Sequence, residues 1–261
     1  MDDHHPAGFR YPGQPTIFHP APSPYGIPYR CLYSRNIENL FFAGRNISAT
    51  HAAMSSTRVM ATCAILGQAA GTAAAIAARD ELTPRQVSES HTEELQQILL
   101  DDDCYLPGVA RAVSALSRAA DLTASIGDPR PLRNGVDRPV GEVDNGWRCE
   151  PGGWVEYRFD APTPLTAARL VFDSDLTEHA LRMPCLYYRD APALAPPATL
   201  VKGFRLEAQV AAGQWQTVYA TEANTQRLVR VPLSVTTNAL RLVPEATWGA
   251  PTAHVQAFDA R

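Results

Sequence analysis

NLFFAGRNISATH, residues 39–51, is the stretch from which the rest of the chain can be read. A short apolar run, Leu40-Phe41-Phe42-Ala43, meets Gly44 and then a polar cluster of Arg45, Asn46, Ser48, Thr50 and His51. Leu40 to Ala43 are expected as a buried strand. A second strand is expected just before it, where Tyr29, Cys31 and Tyr33 alternate with Arg30, Leu32 and Ser34. An Ala-rich stretch comes next, expected to be helical from about Ser55 to Ala78, with Ser55, Ser56 and Thr57 as N-cap candidates. Strand, glycine turn and helix N-terminus together make a cradle for an anionic group or a cofactor.

Around this stretch the composition is ordinary for a globular protein: 261 residues, 45% hydrophobic, 19% charged, net charge −4. That length leaves room for about two domains. Neither the charge balance nor any Lys/Arg cluster points to nucleic acid. Cys31, Cys63, Cys104, Cys149 and Cys185 are scattered, with no C-x-x-C and no zinc spacing, so they are expected as free thiols and no metal site is expected. Such thiols lean toward a reducing compartment. His4-His5 is a lone pair in an end expected to be mobile. No signal peptide follows Met1, although the natural start can lie upstream, so cytoplasmic and exported locations both stay open. Residues 1 to 30 hold Pro6, Pro12, Pro15, Pro20, Pro22, Pro24 and Pro28, which exclude a helix and predict an extended arm or loop.

Val59 to Ala78 carries no charge, is flanked by Arg58 and Arg79, and contains Gly67-x-x-x-Gly71. That is the outline of a membrane span. The stretch is Ala-rich rather than Leu-rich, however, and is diluted by Thr62, Cys63, Gln68 and Thr72. A helix buried on all sides in a large soluble domain has the same look, and no membrane partner is expected. Thr83-Pro84-Arg85-Gln86 predicts a new helix with a capping box. Leu95, Ile98 and Leu99 mark one face of a further helix.

After about residue 119 the pattern changes to short alternating runs at 154–159, 168–172, 204–210, 216–219, 227–231 and 239–243. Asn134-Gly135, Gly152-Gly153 and Gly213 punctuate them. These runs predict an antiparallel β-sandwich. Trp147, in a polar loop with Asp144 and Asn145, is a candidate for stacking on a sugar, with packing as the alternative. Trp154 is expected in the core, Trp215 at a hairpin and Trp248 in a late loop. Asp173, Asp175 and Glu178 could hold calcium through oxygen ligands, with a solvated or capping role as the default.

Residues 27 to 78, including NIENLFFAGRNISATHAAMSSTRVMATCAILGQAAGTAAAIA, resemble the C-terminal FAD-contacting segment of FAD-dependent oxidoreductases with the glutathione-reductase-like fold. DDDCYLPG, 101–108, is similar to the next segment of that family. NGVDRP, FDSDL and ANTQRLVR resemble the discoidin-like (galactose-binding-like) domain appended to many members. The resemblance implies FAD as cofactor and Gly44, Arg45, Asn46, Ser48, Ser55, Ser56 and Thr57 as its contacts. An acid commonly follows the glycine in related flavoproteins. Arg45 and Asn46 stand there instead, so Asn46 or a backbone N–H would take over that contact. A helix beginning near Ser55 would stabilise the anionic edge of a reduced flavin. Arg58, in the first turn of that helix, would oppose the dipole unless an anion sits nearby. The two readings of Arg58 are a flavin or substrate anion and an upstream acid. His51 is either a proton acceptor or donor for a substrate oxidised by hydride transfer, or a hydrogen-bonded supporting histidine. On these grounds His51 and Arg58 are the candidate catalytic residues.

No G-x-G-x-x-G turn for the pyrophosphate occurs anywhere in the sequence. The expected architecture is therefore multidomain α+β. Residues 1–82 would be the C-terminal segment of an α/β FAD-binding fold whose dinucleotide-binding part is absent. Residues 83–118 would be a helical linker and residues 119–261 the sandwich. The expected function is the rear portion of an oxidoreductase passing hydride from a small organic substrate, for instance a hydroxylated or sugar-like one, to flavin. It would be inactive alone and completed by an N-terminal half encoded upstream or as a separate chain. The alternative is a carbohydrate- or protein-binding sandwich with a remnant flavoprotein segment.

Overall fold

The computed structural model describes residues 2–4, 7, 10–13, 16–18, 24–175 and 195–261. The chain divides into two units, Met1–Val109 and Ala110–Arg261.

In the first unit the proline-rich segment forms an antiparallel pair, β1 (Asp2–His4) with β2 (Thr16–Phe18). The two strands expected at 29–34 and 40–43 do not form. Tyr29–Leu32 is a 3-10 turn, and only an isolated bridge joins Tyr33 to Phe41. The turn places the Tyr29 and Tyr33 rings 5.4 Å apart on one side, which mimics strand alternation in the sequence. Leu40 is exposed rather than buried.

The expected single helix is two helices: α1 (His51–Thr57) and α2 (Met60–Arg79). Thr50 caps α1 by accepting the Ala53 N–H at 3.3 Å. The Ser56 and Thr57 hydroxyls donate back to the Ala53 carbonyl, at 3.3 and 3.2 Å, and compete with continuation of the helix. The β-branched Val59 then turns extended, with ψ 149°. α3 (Pro84–Ser90) starts with the expected capping box of Thr83 and Gln86, and α4 (Thr92–Asp101) buries Leu95 and Leu99. Ala73, Ile76 and Ala77 of α2 form a core with Val87, Leu95, Leu99 and Cys104. Leu66 packs with Leu32 and Ile47. By length and composition α2 could cross a membrane, but this face is already packed within the unit. Its other face is open: Met60 is 87% and Ile65 53% exposed.

The second unit consists of α5 (Ala115–Ala119) and strands β3 (Asp121–Ala124), β4 (Trp147–Cys149), β5 (Val155–Phe172), β6 (Val201–Ala211), β7 (Gln214–Thr221), β8 (Leu228–Thr247) and β9 (Ala253–Ala260). They run antiparallel in the order β4-β9-β5-β8-β6-β7, with β3 on β5. The sequence showed β5 and β8 as two runs each because both strands change partners halfway. The first half of β5 pairs with β3 and the second half with β9. Register shifts between Arg158 and Ala167, around Pro162 and Pro164, mark the bend. The half-sheets face each other across the core. Tyr157 meets Phe258 with ring centroids 4.9 Å apart, and Phe172 meets Phe204 at 5.0 Å. This is a two-layer sandwich.

The unit boundary falls inside the stretch read as a helical linker. Helices α3 and α4 belong to the first core. Residues 110–119 are stitched to β9: Ser114 Oγ donates to the Ala260 carbonyl at 2.6 Å, and Arg111 reaches Asp259 at 3.0 Å.

Candidate functional site

Gly44 opens the candidate site. Its φ of +78° is a left-handed conformation that L side chains avoid. A Cβ there would meet Cys63 at 3.8 Å, so the backbone angle, not crowding, requires glycine. Gly44–Asn46 forms a 3-10 turn that packs on α1 and α2. Buried Ile47 anchors it, and the Ser48 N–H donates to the Cys31 carbonyl at 2.9 Å. Arg45, Asn46, Ser48, His51, Ser55, Ser56 and Arg58 all lie exposed on this turn and on α1, whereas Thr57 is buried. Tyr25, which the sequence did not single out, donates its hydroxyl hydrogen to Ser56 Oγ at 2.5 Å.

Three expectations change. Ser55, Ser56 and Thr57 are the last turn of α1, not N-caps. The long helix begins at Met60, and its N-cap, Val59, offers no side-chain acceptor to the first N–H groups. Arg58 is the C-cap of α1. A cation there is favoured by the dipole of α1 by about 0.3–1 kcal/mol, while the start of α2, two residues on, still opposes it as expected. Among the described residues no acid pairs with Arg58. The break that decides all three shows in the sequence only as Ser-Ser-Thr followed by β-branched Val59.

These residues fit the closing contacts of a flavin site. They supply a backbone able to approach closely, a long helix with an uncapped N-terminus, and exposed hydrogen-bonding side chains. They do not include a pyrophosphate turn.

Of the sandwich candidates, Trp147 is a core residue, 2% exposed, with its indole N–H donated to the Ile126 carbonyl at 2.7 Å. It is no stacking platform. Trp154 and Trp215 are half-buried and enclose Arg241, whose guanidinium carbon lies 4.4 and 3.8 Å from their ring centroids. Trp248 is also half-buried, donating to the Asn224 carbonyl at 2.7 Å. Asp173 spends its oxygens on the Asp175 N–H at 2.7 Å and on His254 Nδ1 at 2.8 Å. It therefore has the capping role rather than the calcium role. Burial raises its pKa, but these partners more than offset that and hold the carboxyl below the usual range. Glu178, Cys185 and His5 lie outside the described residues. Cys31, Cys63, Cys104 and Cys149 are free thiols, and burial pushes Cys149 up to about 11.

The described residues thus give a glycine turn and two successive helices in the first unit and an antiparallel sandwich in the second. Residues 1–99 match the family described as FAD dependent oxidoreductase, which bears out the resemblance read at 27–78. No curated protein matches the chain. Among solved structures, the family 32 carbohydrate-binding module of Streptococcus pneumoniae EndoD is similar at 13% identity and TM-score 0.42, over 57% of this chain and 99% of that one. A chitosan-binding module of a Paenibacillus sp. IK-5 chitosanase/glucanase is similar at 13% identity and TM-score 0.38, over 56% and 97%. CpGH89CBM32-5 of Clostridium perfringens, in complex with GalNAc-β-1,3-galactose, is similar at 10% identity and TM-score 0.39, over 56% and 99%.

Proposed function

We propose that residues 25–79 form the closing side of an FAD site in an oxidoreductase that takes hydride from a small organic substrate. The pyrophosphate-binding half would come from protein outside this sequence. One observation carries the reading. Gly67 and Gly71 lie within α2, yet a Cβ at either would meet nothing within 4 Å. Helix-interior glycine costs about 1 kcal/mol relative to alanine. Nothing among the described residues of the unit requires that cost, whereas close approach of further protein or a cofactor to the open face would.

When bound, the flavin supplies the two-electron acceptor. Gly44 would let the backbone lie against it. The unpaired N–H groups at the start of α2 would face its electron-rich edge, and Arg45, Asn46, Ser48, Ser55 and Ser56 would offer hydrogen bonds, with buried Thr57 locking the end of α1 beneath them. His51 would accept a substrate hydroxyl proton at a ring nitrogen. Arg58 would hold a substrate or cofactor anion between α1 and α2.

Co-production with a dinucleotide-binding half carrying G-x-G-x-x-G tests this. The expected outcome is stoichiometric bound flavin by absorbance, lost in Gly67→Leu and Gly71→Leu. Flavin retained by the chain alone, or undisturbed by both leucines, would sink the proposal.

The second reading, a carbohydrate-binding sandwich, is favoured by a groove of about 490 Å³ beside the β6–β7 hairpin, where Arg158, Gln209 and Asn238 present planar polar groups. It is tested by glycan-array binding of the chain and its loss in Asn238→Ala.

A further inference from the structure

In the second unit the ring of His254, on β9, is 1% exposed and has a carboxylate at each nitrogen. Nδ1 lies 2.8 Å from Asp173 Oδ2, in the segment that leaves β5. Nε2 lies 2.9 Å from Asp144 Oδ1, in the loop that leads into β4. That loop presses on the ring: a Cβ on Gly146 would run into His254 Nε2. Strand β4 is a three-residue edge of the sheet, held in register with β9, with Arg148 opposite His254. So short an edge has few ladder bonds of its own, and the His254 contact adds to them.

An ionised carboxylate only accepts, so each contact needs a proton on the nitrogen that faces it. The ring that makes both contacts is the imidazolium. A neutral ring has one proton, and its surroundings decide where. The Asp173 side chain is 15% exposed and that of Asp144 46%. Asp173 without its partner would be a largely buried, poorly paired charge, whereas Asp144 can turn to water and keep Arg148, at 3.1 Å. The single proton therefore stays on Nδ1, and the Nε2 lone pair faces the Asp144 carboxylate, which it repels. Gln256 allows the buried ring to exist in both states. Its amide nitrogen is 2.8 Å from Nε2, while its Oε1 is buried with no partner among the described residues. As placed, the amide donates to the lone pair of the neutral ring, and a half-turn gives its oxygen to the N–H of the charged one. Only Asp144 has to change partner.

We propose that His254 is a pH-dependent latch on the edge of the sandwich: charged, it fastens the Asp144–Gly146 loop to β9, and neutral, it releases it. In the latched state the charges facing the ring balance, Asp144 and Asp173 against Arg148 and the imidazolium. Loss of the proton leaves a net negative charge at the loop. Arginines of neighbouring elements are engaged elsewhere: Arg130 with Asp128, Arg133 with the Ser117 and Ala120 carbonyls, and Arg111 with Asp137 and Asp259. Histidine is the side chain suited to change charge between about pH 5 and 8. The latch closes toward acid and opens as pH rises.

The test is amide hydrogen exchange of the full chain at about pH 5 and about pH 8, with rates divided by the intrinsic rate at each pH. Protection over residues 141–149 should fall by about tenfold or more at the higher pH, the worth of one charge-assisted hydrogen bond. Protection in β6 and β8 should stay level. Asp144→Asn should abolish the pH dependence at 141–149, because an amide can serve the ring in either state. His254→Gln should do the same, and the half-exposed Asp144 keeps the proposal falsifiable if His254→Gln fails to fold. Protection at 141–149 that is equal at the two pH values, or a change that survives Asp144→Asn, overturns the latch.

Discussion

Replacing Arg111 with Met should cost the second unit about 3 kcal/mol, the lower edge of the range for breaking a buried ion pair. The Arg111 side chain is 2% exposed and that of Asp259 is not exposed at all. Arg111 reaches Asp137 at 2.9 Å and Asp259 at 3.0 Å. Burial pulls its pKa down, and the two carboxylates more than restore it, so it stays charged. Each lost charge-assisted bond is worth about 1.5–3 kcal/mol, which for two bonds sets the upper bound. The lower value reflects the contacts that remain. Asp137 keeps Arg169 at 2.7 Å, and Asp259 keeps Arg261 at 3.2 Å and the Ser114 N–H at 3.1 Å. Trp147, Trp154, Trp215 and Trp248 all lie in this unit, so tryptophan fluorescence in urea follows its unfolding alone. With a slope of about 2 kcal/mol per molar, the midpoint should fall by about 1.5 M. Arg111→Met with Asp259→Asn should lose less than the two single changes summed, because the double variant strands fewer charges. A loss below about 1 kcal/mol, the worth of an exposed pair, would refute the account of a water-excluded network joining residues 110–117 to β9.

Gly135→Ala should be more damaging than its size suggests. Its φ is +80°, and a Cβ would run into the Arg111 carbonyl oxygen. Left-handed strain of about 1–2 kcal/mol adds to overpacking of about 1–3 kcal/mol, and the same urea titration reads the sum. Trp147→Ala should cost about 3–5 kcal/mol of stability as a core truncation, whereas a solvent-facing sugar platform would lose almost none. Asp173 should give the unit an acid-labile component. Its folded pKa lies below the unfolded one, so the folded chain stays ionised where the unfolded chain takes up a proton. That stabilisation is complete above about pH 4 and is lost as pH falls through the lower folded value. Asp173→Asn should flatten the dependence of the urea midpoint on pH there, and an unchanged acid slope would count against the His254 contact.

Much of the sandwich was legible because its strands bury one face and leave the other in water, the condition under which alternation appears. Of the three strands that escaped, β3, β4 and β9, the last shows why. All eight of its residues are buried, since one face lines the core while Arg130–Arg133 and the segment around Ser114 cover the rest. A strand covered on both sides has no period to read. The motif-like stretches NGVDRP and FDSDL also proved to carry architecture: Asp137 pairs with Arg111 and Arg169, and Asp173 with His254. In the first unit the capping box at Thr83 was readable because it is chemistry between neighbours in sequence. The helix break at Arg58-Val59 was not, because helix propensity sums smoothly across it. That one break moved the long helix's N-terminus to Met60 and set Arg58 between the C-terminal end of α1, which favours a cation, and the N-terminal end of α2, which does not.

The two units also differ in how far their own packing accounts for their sequences. In the second, buried residues of both layers join in one core, and the large aromatics at its centre meet across it. In the first, the densest run of small and apolar residues, Val59 to Ala78, is only partly used. Five residues of α2 are buried, while Met60 and Ile65 stand open and a Cβ at either glycine would meet nothing among the described residues. Packing within the unit favours alanine at Gly67 and Gly71, by about 1 kcal/mol each. The sequence has glycine there all the same, together with an uncapped helix start and a left-handed Gly44 that presents exposed polar side chains. The two helix glycines and the uncapped start lower the stability of the unit taken alone, whereas Gly44 is required by its own turn, and the first two make physical sense if something docks against the start and open face of α2. The open glycines and the uncapped start of α2 are thus the features that packing among the described residues of this unit does not explain.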